Sequence, residues 1–155
     1  MANDEQAKYI QIRADIRSFT RDTPELNRLL KDYESTDDQL DLAIRRAIDH
    51  YNTTPPIFKA VTILTYPSLD MLLYGCALRL LESAGLKQSR NELNYSSGGV
   101  QVRVSDKTGL YQSWIARFEQ KYYRQLLSYK KAININSGWG GVHSEYDDLY
   151  TEYEF

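Results

Sequence analysis

The chain has 155 residues, with 19 Lys and Arg against 21 Asp and Glu, a net charge of −2 and 42% hydrophobic residues. That length supports one domain with one core. The near-balanced charge argues against a dedicated nucleic-acid binder, and a single cysteine excludes an internal disulfide.

The opening residues, MANDEQAKY, are polar and charged and lack the pattern of a secretory leader, so synthesis and retention in a cytoplasm are expected unless an assembly carries the protein out. Asp4 to Phe19 reads as an amphipathic helix: Tyr9, Ile12, Ile16 and Phe19 recur at helical spacing, with Lys8, Arg13, Asp15 and Arg17 on a solvated face. Thr23-Pro24 predicts a short second helix carrying Leu26, Leu29 and Leu30, with proline at its first position. Thr36 and Gln39 have capping-box spacing, and Asp37 and Asp38 suit the positive end of a helix dipole. The helix they open carries the stripe Leu40, Ala43, Ile44, Ala47, Ile48 and Tyr51 and ends at Thr54-Pro55-Pro56. Ile57 to Thr65 is β-branched and reads as a short strand or an extended link.

Pro67 to Ala84, PSLDMLLYGCALRLLESA, is apolar on nearly every side, which predicts a helix buried all round and placed at the centre of the fold. Proline stands where a first turn accepts it, and Gly85 stands where a terminal glycine would stop the helix. Asp70, Arg79 and Glu82 interrupt the run, so it is not a membrane span, and no membrane partner is expected. Cys76 lies inside it and reads as a small buried hydrophobe.

Beyond Gly85 the texture changes. Residues 92–104 read as a hairpin, with Ser96-Ser97-Gly98-Gly99 as the turn and Val100, Val102 and Val104 alternating with polar residues. A lone hairpin is marginal in water, so these valines are expected to meet a helix or another chain. Ser105-Asp106 can cap a long helix to Ile133, striped by Tyr111, Ile115, Phe118, Tyr122, Leu126, Tyr129 and Ile133 and widened by Leu110 and Trp114. Part of so long a helix is expected to project from the body. Arg117, Lys121, Arg124 and Lys131 form a basic row on its other side; a solvated face, a DNA-facing track and a receiver for an acidic segment all stay open for it. From Asn136 three glycines break the pattern, and Gly138–Gly141 reads as a hinge. Trp139, Tyr146, Tyr150, Tyr153 and Phe155 then interleave with Glu145, Asp147, Asp148, Glu152 and Glu154, the composition of an adhesive arm. The 13 tyrosines likewise suggest contact surfaces.

The expected architecture is mainly α: a helical bundle around a buried central helix over 1–135, with a small β-hairpin insertion and an extended C-terminal arm over 136–155. Catalytic chemistry finds little purchase. The two histidines, His50 and His143, stand apart; His50 lies beside Asp49 near a helix end, where a histidine often serves as a cap. No HExxH, GxSxG, P-loop or GxGxxG occurs. No enzyme activity, cofactor or metal is expected.

The order of parts carries a resemblance. A helix TDDQLDLAIRRAID, a buried central helix, and NELNYSSGGVQVRVSDKTGLYQSWIARFEQKYYRQL together resemble, over Thr36 to Ile133, the head-to-tail connector (adaptor) proteins of tailed bacteriophages. The resemblance implies a homo-oligomeric ring, commonly twelve-fold, in the neck of the virion. It would contact the portal protein and the tail or neck proteins and enclose DNA without reading its sequence. Terminal extensions grip neighbours in that family, which assigns the arm residues Trp139, Tyr146, Asp147, Asp148, Tyr150, Tyr153 and Phe155, and the valines of the hairpin, to partner contacts. The alternative reading is a nucleic-acid-binding packaging accessory protein that uses the Arg117–Lys131 face.

Overall fold

The computed structural model describes residues 2–27, 31–57, 59–90, 94–97, 100–103 and 108–138, and the protein is mainly helical. Its elements are α1 (Ala2–Thr20), α2 (Asp37–Thr53), α3 (Leu69–Arg90), β1 (Asn94–Ser97), β2 (Val100–Arg103) and α4 (Thr108–Gly138). β1 and β2 pair antiparallel, with Tyr95 opposite Val102 and Ser97 opposite Val100.

α1 forms where the 3–4 spacing of its apolar residues predicts, and Ile12 and Ile16 are fully buried. It closes through two bonds, from the Arg21 N–H to the Ser18 carbonyl and from the Asp22 N–H to the Arg17 carbonyl, around Arg21 at φ 57°. This is the paired-bond helix ending that usually employs glycine. Arg13 and Arg17 do not lie on a solvated face. Arg13 makes a two-pronged contact with Asp41 (2.7 and 2.5 Å) and reaches Asp37 at 3.1 Å, and Arg17 bonds Asp37 at 2.8 Å. Asp37 of the acidic first turn of α2 and Asp41 one turn on supply these partners, so Asp37 serves both the helix dipole and the α1–α2 contact.

After Thr23 the described residues form a turn, and residues 28–30 of the short helix expected there, Leu29 and Leu30 among them, lie outside the described residues. The Thr23 carbonyl accepts from the N–H groups of Leu26 and Asn27, giving a turn that leaves Leu26 exposed. The organiser here is Asp22. Its carboxylate accepts from the N–H of Glu34 (2.6 Å) and Ser35 (2.9 Å) and from Asn27 Nδ2 (2.7 Å), with Arg17 at 3.5 Å. The Asn27 carbonyl in turn accepts from the Lys31 N–H at 2.8 Å, and the side-chain bonds of Asp22 fasten the chain around this turn.

α2 begins with the expected capping box: Thr36 Oγ1 accepts from the Gln39 N–H, and Gln39 Oε1 accepts from the Thr36 N–H. Its stripe is buried as Leu40, Ala43, Ile44, Ala47 and Tyr51. The link to α3 is not a strand. Asn52 clamps Val61 through both amide atoms (3.0 and 2.9 Å), and a turn at Thr62–Thr65 sets Ile63 into the core.

α3 starts at Leu69, capped by Ser68, whose hydroxyl accepts from the Met71 N–H. Its middle is covered on two sides. Leu72 and Cys76 pack with Ile12, Ile16, Leu40, Ile44 and Ile63, while Met71 and Leu78 pack with Tyr51, Tyr122 and Leu126. The ends are not covered: Leu69 and Leu86 are exposed, so burial all round holds only for the centre. Burial pushes the Cys76 thiol up to about 12, which keeps it protonated and unreactive.

Gly85 does not stop α3, which runs on to Arg90. A glycine inside a helix costs only about 1 kcal/mol, and Leu86, Lys87 and Gln88 continue the helix well. A Cβ at 85 would stand 3.6 Å from Tyr111 Cβ and 3.7 Å from Ile115 Cδ1 of α4, ordinary contact distances. Gly85→Ala is therefore expected to raise stability by about 0.5–1 kcal/mol, read as a higher urea midpoint with an unchanged slope.

α4 is 31 residues long, about 46 Å at ~1.5 Å per residue. It continues through Asn136 and Ser137 to Gly138, past both Ile133 and the boundary expected at 135. Asn and Ser weaken a helix by only some tenths of a kcal/mol each, about 0.7 at most, and so do not end it. Leu110 and Trp114 do not widen the buried stripe; they are exposed. Lys130 is the last buried residue, and apart from half-buried Ile133 the helix beyond it is exposed. Among the described residues no helix is long and apolar enough to cross a membrane.

Candidate functional site

Among the described residues several tyrosines pack on rings of the same chain. Tyr51 packs on Tyr66 (ring centroids 5.2 Å apart) and on Tyr129 (6.4 Å), and Tyr74 meets Phe19 edge-on at 5.1 Å and Phe118 at 5.4 Å. His50 is not a helix cap. Its Nδ1 lies 3.3 Å from the Tyr122 hydroxyl and its Nε2 3.1 Å from the Tyr123 hydroxyl, pinning α2 to α4. Burial, with the charge of Arg79 adding to it, lowers the His50 pKa, so the neutral ring is favoured. Burial also pushes the Tyr122 hydroxyl up to about 12. These aromatics hold helices together by packing and hydrogen bonds.

Lys130 is a residue that the sequence reading missed. It is 1% exposed, its Nζ donates to the Pro56 carbonyl at 3.2 Å, and it lies 4.2 Å from the centroid of the Tyr51 ring. Burial lowers its pKa. The signal was present: Tyr122, Leu126 and Lys130 are spaced i, i+4, i+8, one ridge of a helix.

The basic row of α4 is partly occupied. Arg117 lies over the Trp114 ring at 5.5 Å, and Lys121 lies over the Tyr74 ring at 4.1 Å and donates to the Tyr74 hydroxyl. Arg124 and Lys131 are exposed and make no ion pair among the described residues. Val100 and Val102 lie on β2 in the register given above. Val104, Trp139, Tyr146, Asp147, Asp148, Tyr150, Tyr153 and Phe155 lie outside the described residues, as do Gly140 and Gly141 of the expected hinge; Gly138 belongs to α4.

A groove of about 490 Å³ lies between the end of α1, the loop that follows it, α2, α3 and the first turns of α4. Its wall is apolar: Phe19, Ala77, Leu80, Leu81, Trp114 and Phe118. Trp114 and Phe118 lie tilted with centroids 6.0 Å apart, and Phe118 meets Phe19 edge-on at 6.2 Å, so the wall is made of rings braced against one another. Arg21, Arg46, Arg79 and Lys87 also line it, against the acidic Asp22 and Glu34. Arg79 is held by both carboxylate oxygens of Glu82 at 3.0 Å. Asp22 is held in the loop by the bonds already described. The ionic character that faces solvent is therefore mostly positive. Among the described residues no group of three His, Cys, Asp or Glu side chains could hold a metal. Sequence reading did not find this groove, because its residues come from four helices and a loop, none of which carries a recognisable motif.

No protein family, curated protein or solved structure matches the chain.

Proposed function

We propose that the chain is a virion structural protein of a tailed bacteriophage, a head-tail connector subunit that forms a ring between portal and tail and encloses the DNA path. The observation that carries this reading is α4: a helix of 31 residues whose last buried side chain is Lys130, leaving its end clear of the body. A helix end exposed from Asn134 on suits contact with another chain. A two-stranded sheet, marginal alone, is a second device of the same kind. The order of elements agrees with the connector resemblance, which supplies the ring, the twelve-fold expectation, the portal and neck partners and the virion location. A closed ring of one subunit needs head-to-tail contacts between unlike patches, and a rigid helix end and a separate groove are two unlike patches. No catalytic role is assigned.

The exposed Arg124 and Lys131 support a second reading, a packaging accessory protein that binds nucleic acid along α4. Electron microscopy of purified protein, and of particles with the protein labelled, separates the two. Rings, or label at the neck, support the connector. Retardation of DNA with steep salt dependence, without rings, supports the accessory protein.

Deletion of Val142–Phe155 is expected to leave helicity and melting nearly unchanged, because both buried clusters are built from residues between Tyr9 and Leu126, and to impair assembly. Replacing the aromatics of that segment by alanine should impair assembly more than replacing its carboxylates by amides, since exposed ion pairs contribute only about 0–1 kcal/mol each. Circular dichroism reads the first expectation and particle yield the second. A truncated chain that unfolds would place the segment in its own core.

A further inference from the structure

We propose that the groove between α1, α2, α3 and α4 receives the acidic, aromatic segment Val142–Phe155 of a second copy of the chain. The receiving side has braced rings and small apolar residues as its wall, with Trp114 44% exposed, so large apolar groups find partners there. Arg21, Arg46 and Lys87 stand around that wall and have no acidic partner within ion-pair distance among the described residues. The segment offers the matching chemistry. It holds Tyr146, Tyr150, Tyr153 and Phe155 with five carboxylates and no Lys or Arg. Rings would enter the wall as anchors while carboxylates meet the basic rim. The exposed basic row of α4 is a poorer receiver, because Arg117 and Lys121 already cover rings of their own subunit.

The length of the chain points to a neighbour's segment. Trp114 lies on the groove and Gly138 ends the same helix 24 residues on, a separation of ~36 Å at ~1.5 Å per residue. A fully extended chain covers at most ~3.3–3.6 Å per residue, so about ten residues would be consumed in returning from Gly138. Of the 17 residues after Gly138, about seven would then reach their own groove, without Glu145, Tyr146, Asp147 and Asp148. A neighbour whose α4 ends beside the groove delivers the whole aromatic and acidic stretch. Each copy would give a segment and receive one, the unlike-patch contact from which a ring closes.

The inference rests on the connector reading only in requiring a second copy. It is tested with full-length protein by sedimentation velocity over a concentration series. One variant reverses the rim, Arg46→Glu with Lys87→Glu; the other strips the segment, Tyr146→Ala with Tyr150→Ala and Tyr153→Ala. Both rim residues are exposed, so wild-type melting is expected of the first variant, and the milder Arg46→Ala with Lys87→Ala provides a second rim variant. The wild type is expected to self-associate, each full variant to do so at least ten-fold more weakly, and the alanine rim pair to fall between. An equimolar mixture of the two full variants should recover association but stop at pairs, because one intact groove and one intact segment remain. Rim variants that assemble like wild type, or a mixture no stronger than its parts, would overturn the inference and leave the ring standing. A segment variant that melts lower with its mass unchanged at every concentration would mean that the segment fills its own groove. A wild-type chain that stays monomeric and forms no rings would sink both the inference and the connector reading.

Discussion

Gly75→Leu is expected to destroy cooperative folding. A Cβ at position 75 would stand 3.0 Å from Tyr122 Cε2 on α4 and 3.1 Å from Ala47 Cβ on α2, so three helices converge on one hydrogen atom. Neither neighbour can retreat easily. Ala47 is 1% exposed on a helix pinned by its own stripe, and Tyr122 is fully buried with its hydroxyl near His50. Overpacking a core costs about 1–3 kcal/mol in ordinary cases, and leucine would force four carbons into a space too small for one. A loss above ~3 kcal/mol is expected, set against a total stability of about 5–15 kcal/mol for such domains. Gly75→Ala is the calibrating variant. Its gain in helix propensity, about 1 kcal/mol, offsets part of the strain, leaving a net loss of about 0–2 kcal/mol. Urea titration followed by circular dichroism reads both, and a Gly75→Leu protein with the wild-type midpoint would show that α2 and α4 do not close on α3 there.

Asp22→Ala is the second large effect. It strips the acceptor from two backbone N–H groups and from Asn27, and removes a partner of Arg17, all around a side chain only 7% exposed. Bonds to a charged acceptor are worth about 1.5–3 kcal/mol each, not additively, so a loss of about 2–4 kcal/mol is expected. Asp22→Asn keeps one acceptor oxygen and should cost less. The pH dependence separates charge from shape. Burial alone would raise the Asp22 pKa, but the N–H groups of Glu34 and Ser35, Asn27 and the Arg17 charge together hold it below the usual carboxylate range. A depressed folded-state pKa gives stability that is complete above the unfolded value, about 3.9, and is lost as pH falls through the folded one. The stability gap between wild type and Asp22→Asn should therefore be constant from pH 5 to 7 and shrink below about pH 4. A gap that persists at pH 2 would mean that the carboxylate's charge contributes nothing.

What the sequence disclosed follows the range of the forces involved. α2 could be read almost entirely, because its cap and stripe are local: Thr36 and Gln39 are three residues apart, and Leu40 to Tyr51 repeat with the helix period. The centre of α3 could be read for the same reason. Arg13 and Arg17 could not, because their partners on α2 lie 20 to 28 residues away and charges on a helix look alike whether solvated or paired. The hold of Asp22 on the chain 12 and 13 residues ahead was not legible either, because it is an interaction that no window of propensities contains. Gly85 was given the commonest role of a glycine near a helix end, whereas here Tyr111 and Ile115 of α4 lie over it. The groove was invisible in any stretch of sequence, since it is the space left where α1, α2, α3 and α4 fail to meet.

Lys130 divides α4 into two regimes of order. Between Tyr122 and Lys130 the helix cannot open without uncovering Tyr122 and Leu126, so its hydrogen bonds there break only with the core. The eight residues after it are too few to be helical alone in water, where isolated helices need about 12–15 residues. Their order is continued from the buried part and can be lost turn by turn. Anything that grips this end would therefore stabilise a stretch of backbone as well as occupy a surface, and part of its binding energy would go into holding the helix wound. The same helix can be a fixed strut at its middle and an adjustable tip at its end, with a buried ammonium marking the boundary.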